Sequence, residues 1–142
     1  MNDEDLQRER LVRPLAYDPR RVAEALGLAR RDVATARAML AVNSDWAYNI
    51  AYNAMLQAVR ALMFSRGVRP TGCHQHVAVV RYAELHLDRQ WSVQLDRMRR
   101  KRHVSVYDTA GTIPETEAAN AVARAEEFFA VIEEIVSGGP EG

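Results

Sequence analysis

The chain has 142 residues, 48% of them hydrophobic and 27% charged, and its 19 basic side chains balance 19 acidic ones. That length and mixture predict one globular domain and exclude intrinsic disorder and a general polyanion binder. A single cysteine, Cys73, excludes an internal disulfide. The longest apolar runs are too short to span a bilayer, and the acidic start Asn2-Asp3-Glu4-Asp5 does not read as a signal peptide. The expected setting is therefore cytoplasmic, with no membrane.

Residues 1–18 read as a polar arm with scattered apolar positions (Leu6, Leu11, Val12, Leu15), expected to be mobile or to dock on a partner. Asp18-Pro19 is a helix start, an N-cap residue followed by proline at the first helical position. Val22, Leu26, Ala29, Val33, Ala36 and Leu40 then recur at helical spacing and predict a helix over about 19–41. Asn43-Ser44-Asp45 breaks the pattern and caps a second helix, about 45–66. Its alanine stripe (Ala47, Ala51, Ala54, Ala58, Ala61) lets a neighbouring backbone approach closely, which marks it as the central helix. Gly67 is its stop and Pro70 prevents continuation.

A third helix is expected at about 73–87, with Val77, Val80, Ala83 and Leu87 inward, and a fourth at about 91–104, with Trp91, Leu95 and Met98 inward. Residues 108–114 are rich in turn formers. The last helix, about 115–136, buries Ala118, Val122, Ala125, Phe129, Ile132 and Val136, and residues 138–142 form a flexible tail. Nothing reads as a strand. The prediction is an all-α, antiparallel bundle of four to five helices over 19–137.

Zero net charge conceals a local field. Arg97, Arg99, Arg100, Lys101 and Arg102 place five fixed cations within seven residues, ending on His103. The compensating acids lie on the last helix, at Glu115, Glu117, Glu126, Glu127, Glu133 and Glu134. Basic residues at a helix C-terminus also favour the helix dipole, by about 0.3–1 kcal/mol each, so the cluster has a structural reading as well as a functional one.

Two segments together carry a family resemblance. Asp45-Trp46-Ala47-Tyr48-Asn49-Ile50-Ala51-Tyr52-Asn53-Ala54 resembles the AYxxAYxA pattern in the second helix of HEPN domains. Arg99-Arg100-Lys101-Arg102-His103-Val104-Ser105-Val106-Tyr107-Asp108 resembles that family's arginine-rich signature. The resemblance spans about 19–136. It implies a small helical bundle that forms two-fold homodimers. It further implies either a metal-independent endoribonuclease, often the toxin paired with a nucleotidyltransferase-type antitoxin, or a non-catalytic module that binds nucleotide, RNA or such a partner. The family's catalytic signature is an arginine, an adjacent polar residue and a histidine four to six residues beyond the arginine. Two registers fit here. With Arg102 as the arginine, His103 takes the polar position and Tyr107 stands where the histidine would be. With Arg97 as the arginine, His103 meets the spacing.

Cleaving RNA without metal requires a base for the 2′-hydroxyl, an acid for the leaving 5′-oxygen and positive charge on the pentavalent phosphate. The expected catalytic residues are Arg97, Arg102, His103 and Tyr107, with His103 as acid or base because an unperturbed imidazole titrates near neutrality. Arg99, Arg100, Tyr52 and Asn53 are the expected substrate-binding residues. Arginine binds phosphate bidentately. Tyr107 is suited to orienting phosphate, to stacking on a base, or to accepting a nucleotide from a partner enzyme. No cofactor is expected. His74, His76 and His86 lack the spacing of a metal site, Cys73 has no catalytic partner pattern, and no phosphate-cradling glycine loop is present. A third reading is a structural dimer in which the basic helix end meets the acidic last helix of a second subunit.

Overall fold

The computed structural model describes residues 2–72, 75–103 and 113–138. Six helices and one two-stranded sheet are built from them: α1 (Asp3–Arg8), β1 (Val12–Pro14), α2 (Pro19–Met39), α3 (Ser44–Ser65), β2 (Val68–Pro70), α4 (Gln75–His86), α5 (Arg89–His103) and α6 (Glu115–Ser137). No helix is long and apolar enough to cross a membrane.

The helix starts follow from side-chain capping. Asp18 accepts from the Arg20 amide ahead of Pro19, and Asn43 accepts from the Trp46 amide, so each satisfies an amide that has no partner inside its helix. At the end of α3, Gly67 takes φ +76, a left-handed conformation that a side chain resists. This reverses the chain into β2.

Helix α3 is the axis of the molecule, packed by α2, α4, α5, α6 and β2. Ala47, Ala51, Ala54, Ala58 and Ala61 are all buried along it, and their small side chains admit neighbours on several sides at once. Tyr52, Met55, Leu62, Met98, Phe128 and Ile132 complete the core. Trp91 on α5 meets Phe128 on α6 at 5.0 Å between ring centroids, tilted by 53°, an arrangement that contributes about 1 kcal/mol beyond area burial.

Three features differ from the sequence-based expectation. A pair of strands is present: β1 runs antiparallel to β2 with Val12 opposite Pro70 and Arg13 opposite Arg69. Three-residue strands that each end on proline leave no alternation to read. This pairing, with Leu6 of α1 fully buried, docks the N-terminal arm on the chain itself. On α4, Val80 and Ala83 are buried as expected, but Val77 is exposed while Ala78, Val79 and Tyr82 are buried beside them, so the inward face is wider and shifted away from Val77. On α6 the fully buried aromatic is Phe128, with Phe129 at the margin beneath Arg30.

Candidate functional site

At about 100° per residue, the basic end of α5 divides into two sides. Trp91, Leu95 and Met98 point into the core. Arg99, Arg102 and His103 fall within an arc of about 100° on one flank of that face. Arg97, Arg100 and Lys101 project on the other.

On the first flank, α4 begins with Gln75 and His76, and α3 contributes Tyr52 from below. The result is a cavity of about 340 Å³ lined by His76, Val77, Arg99, Arg102 and His103, near the lower end of the range for small-ligand sites. Tyr52 is fully buried and its hydroxyl lies 3.1 Å from His76 Nδ1. The two rings are 5.7 Å apart and tilted by 49°. With Nδ1 engaged, Nε2 is the nitrogen available to the cavity.

The electrostatics of this pair are opposed. Burial pushes the Tyr52 hydroxyl up to about 12, against the lowering influence of Arg99 and Arg102, so Tyr52 stays a phenol at neutral pH. The pKa of His76 is lowered, first by the partial burial of its ring and then by Arg102 and Arg99, which favours the neutral imidazole. Asp96 accepts from Arg99 at 3.0 Å and pairs with Arg100 at 2.5 Å. Arg102 forms no ion pair among the described residues, so its charge is available to an anion. Two guanidinium groups and two imidazoles around one small cavity suit a phosphodiester.

The other expected site residues lie elsewhere. Arg97 and Arg100 border a larger groove of about 1200 Å³ that also contains Glu84, Asp88, Asp96 and Glu117. In that groove Lys101 lies 3.6 Å from Glu117. Arg97 is about 120° around the helix from His103, so a single chain does not bring this pair together. Asn53 faces α2, where its Nδ2 donates to the buried Asp32 at 2.9 Å, away from the cavity. Asn49 donates to the Asp45 carbonyl at 2.7 Å. Tyr107 lies outside the described residues, as do Cys73 and His74. Among the described residues no cluster could hold a metal ion.

His76 is the site residue that sequence reasoning missed. Its spacing from the other histidines does not suit a metal, and nothing else in the sequence singles it out. What gives it a role is Tyr52, 24 positions earlier, and only the packing of α4 on α3 reveals that contact.

The HEPN domain family model matches residues 22–135, the span that runs from the first turn of α2 to the last turn of α6. No curated protein matches the sequence.

Proposed function

The chain belongs to the HEPN domain family, and on that premise we propose that it is a metal-independent endoribonuclease whose working site is the cavity between α4 and α5. The observation that carries this reading is the convergence of His76, Arg99, Arg102 and His103 on one cavity, with His76 held from behind by Tyr52.

In this mechanism the RNA phosphodiester sits between Arg99 and Arg102. His76 Nε2, neutral at physiological pH, takes the proton from the 2′-hydroxyl while Nδ1–H donates to the Tyr52 oxygen. The 2′-oxygen attacks phosphorus, and the guanidinium groups stabilise the charge that builds on the phosphoryl oxygens. His103 is the general acid that gives a proton to the departing 5′-oxygen. The products are a 2′,3′-cyclic phosphate and a 5′-hydroxyl end. Proton transfer by a positioned side chain contributes about 10²–10⁴-fold. The reading extends to a two-fold homodimer, a nucleotidyltransferase-type antitoxin and a cytoplasmic setting, for which the support is the family resemblance.

The test is cleavage of single-stranded RNA by purified protein in the presence of a chelator. Wild type is expected to cut and leave cyclic phosphate ends, and His76→Ala, Arg102→Ala and His103→Ala to lose at least about 100-fold. Binding without cutting by wild type overturns the enzyme in favour of a non-catalytic RNA-binding module. Equal cutting by all four proteins identifies a contaminant.

A further inference from the structure

A second cavity, of about 270 Å³, opens where the β1–β2 sheet meets α2, α3 and the start of α4. Three arginines from three elements converge on it: Arg21 of α2, Arg60 of α3 and Arg69 of β2, joined by Gln75 of α4 over an apolar floor that includes Phe64. No carboxylate lines it. None of the three arginines forms an ion pair among the described residues.

Several arginines on the outer helix faces are paired instead. Arg30 pairs with Glu133, Arg37 with Glu126, Arg81 with Glu84 and Arg124 with Glu127. In a chain with as many acids as bases, three unneutralised guanidinium groups around one concavity are a pronounced local excess of positive charge. Arg60 is also held in place. It lies over the Phe64 ring at 5.8 Å and its Nη1 donates to Gln75 Oε1 at 3.1 Å. Its buried Nε has no hydrogen-bond partner, and burial lowers its pKa. Burying this charge without full hydrogen bonding costs free energy, and a neighbouring anion offsets part of that cost electrostatically.

We propose that this arginine triad binds a backbone phosphate of the same RNA strand whose cleaved phosphate lies between Arg99 and Arg102. The inference rests on the ribonuclease reading for the second phosphate, and on geometry for the path between the two. The cavities border consecutive residues of α4, Gln75 and His76. Along α3, Tyr52 and Arg60 are eight residues apart, about 12 Å, a span that a few nucleotides cover. One strand bound at the triad is thus within reach of His76. The triad then selects strands long enough to engage both cavities and sets their direction.

The experiment measures binding, so that it stands apart from cleavage. Labelled 2′-O-methyl oligonucleotides, which have no free 2′-hydroxyl to react, are titrated by fluorescence anisotropy over a range of salt. The double variant Arg21→Gln/Arg69→Gln leaves the more buried Arg60 in place. A control, Arg8→Gln/Arg20→Gln, removes the same charge from exposed, paired positions. Thermal melts verify that each protein is folded. The triad variant is expected to bind an octanucleotide at least about tenfold more weakly. Its salt slope should fall by about 0.7 for each phosphate that is no longer neutralised, while trinucleotide binding and the control stay at wild-type levels. Unchanged octanucleotide affinity and slope overturn the proposal, as does an equal weakening in the control, which would mean a diffuse field. Stabilisation by inorganic phosphate without any octanucleotide effect overturns the strand and leaves a small-anion site. If wild type binds as expected but never cuts RNA, the triad stands and the ribonuclease reading falls.

Discussion

Tyr52→Phe isolates one interaction. The ring stays in its buried place, and the change removes only the hydroxyl that lies 3.1 Å from His76 Nδ1. A hydrogen bond of this kind is worth about 1 kcal/mol net, which corresponds to a roughly fivefold change in an equilibrium. The imidazole then spends about that much less time with Nε2 presented to the cavity, so kcat is expected to fall about fivefold with KM unchanged. Two further readouts separate positioning from bulk stability. The acid limb of the rate profile in wild type reports His76, whose pKa lies below that of a free imidazole because its ring is partly buried and faces Arg102 and Arg99. Activity therefore rises as pH climbs through that lowered value. In Tyr52→Phe the limb persists but moves, whereas in His76→Ala it disappears, with a drop in rate of at least about 100-fold. Stopped assays across the pH range on a defined RNA give both quantities. Tyr52→Phe with an unchanged rate and an unchanged acid limb would falsify the positioning role, and Tyr52→Phe as inactive as His76→Ala would make the phenol a chemical participant.

Other regions give sharper stability readouts. Asn53→Ala removes the donor to buried Asp32 and should cost about 1–3 kcal/mol in urea melts, with cleavage retained because the pair faces α2. Leu6→Ala, which empties a fully buried position on α1, should cost about 2–5 kcal/mol, and an unchanged melt would mean the arm contributes nothing to the fold. At high pH the buried tyrosines act as a linked switch. Tyr48 and Tyr52 are both pushed up to about 12 by burial, so their folded pKa values lie above the unfolded value of about 10. Their contribution is present in full below that value and is lost as pH rises from about 10 towards 12. Melting temperature should fall across this window, more steeply in wild type than in Tyr48→Phe/Tyr52→Phe.

Most of the architecture was legible because local chemistry specifies it. Asp18-Pro19, Asn43 and Gly67 fix the ends of α2 and α3 by capping and by a left-handed turn, and these signals act within a few residues of themselves. The alanine stripe of α3 announced a crowded axis. The β1–β2 pairing was not legible, since its two segments lie far apart in the chain and neither alternates. Phe128 and Phe129 are adjacent on one helix, and only the position of Trp91 across from them decides which is swallowed. The same limit governs the site. The basic run of α5 was visible as a run, but a list of residues does not say that Arg99 and Arg102 turn towards His76 while Arg97 and Arg100 turn towards Glu84 and Glu117. Helical periodicity alone separates the two flanks. It does not say which flank meets an imidazole and which meets carboxylates, because that depends on how α4 and α6 dock.

Neutralisation distinguishes the individual cations on those flanks. A guanidinium already paired with a carboxylate has less field to offer an incoming phosphate, and displacing its partner costs part of what the phosphate contributes. Arg99 and Arg100, which share Asp96, and Lys101, which faces Glu117, are in that position. Arg102 is not, and neither are Arg21, Arg60 and Arg69 among the described residues. Four cations without a carboxylate among the described residues thus border the two cavities at the start of α4, while Glu133 and Glu126 of α6 pair with Arg30 and Arg37 of α2. Overall neutrality keeps this chain from gripping any polyanion it meets. On the proposed reading, this unequal pairing defines one path, which a strand follows to place a phosphate beside His76.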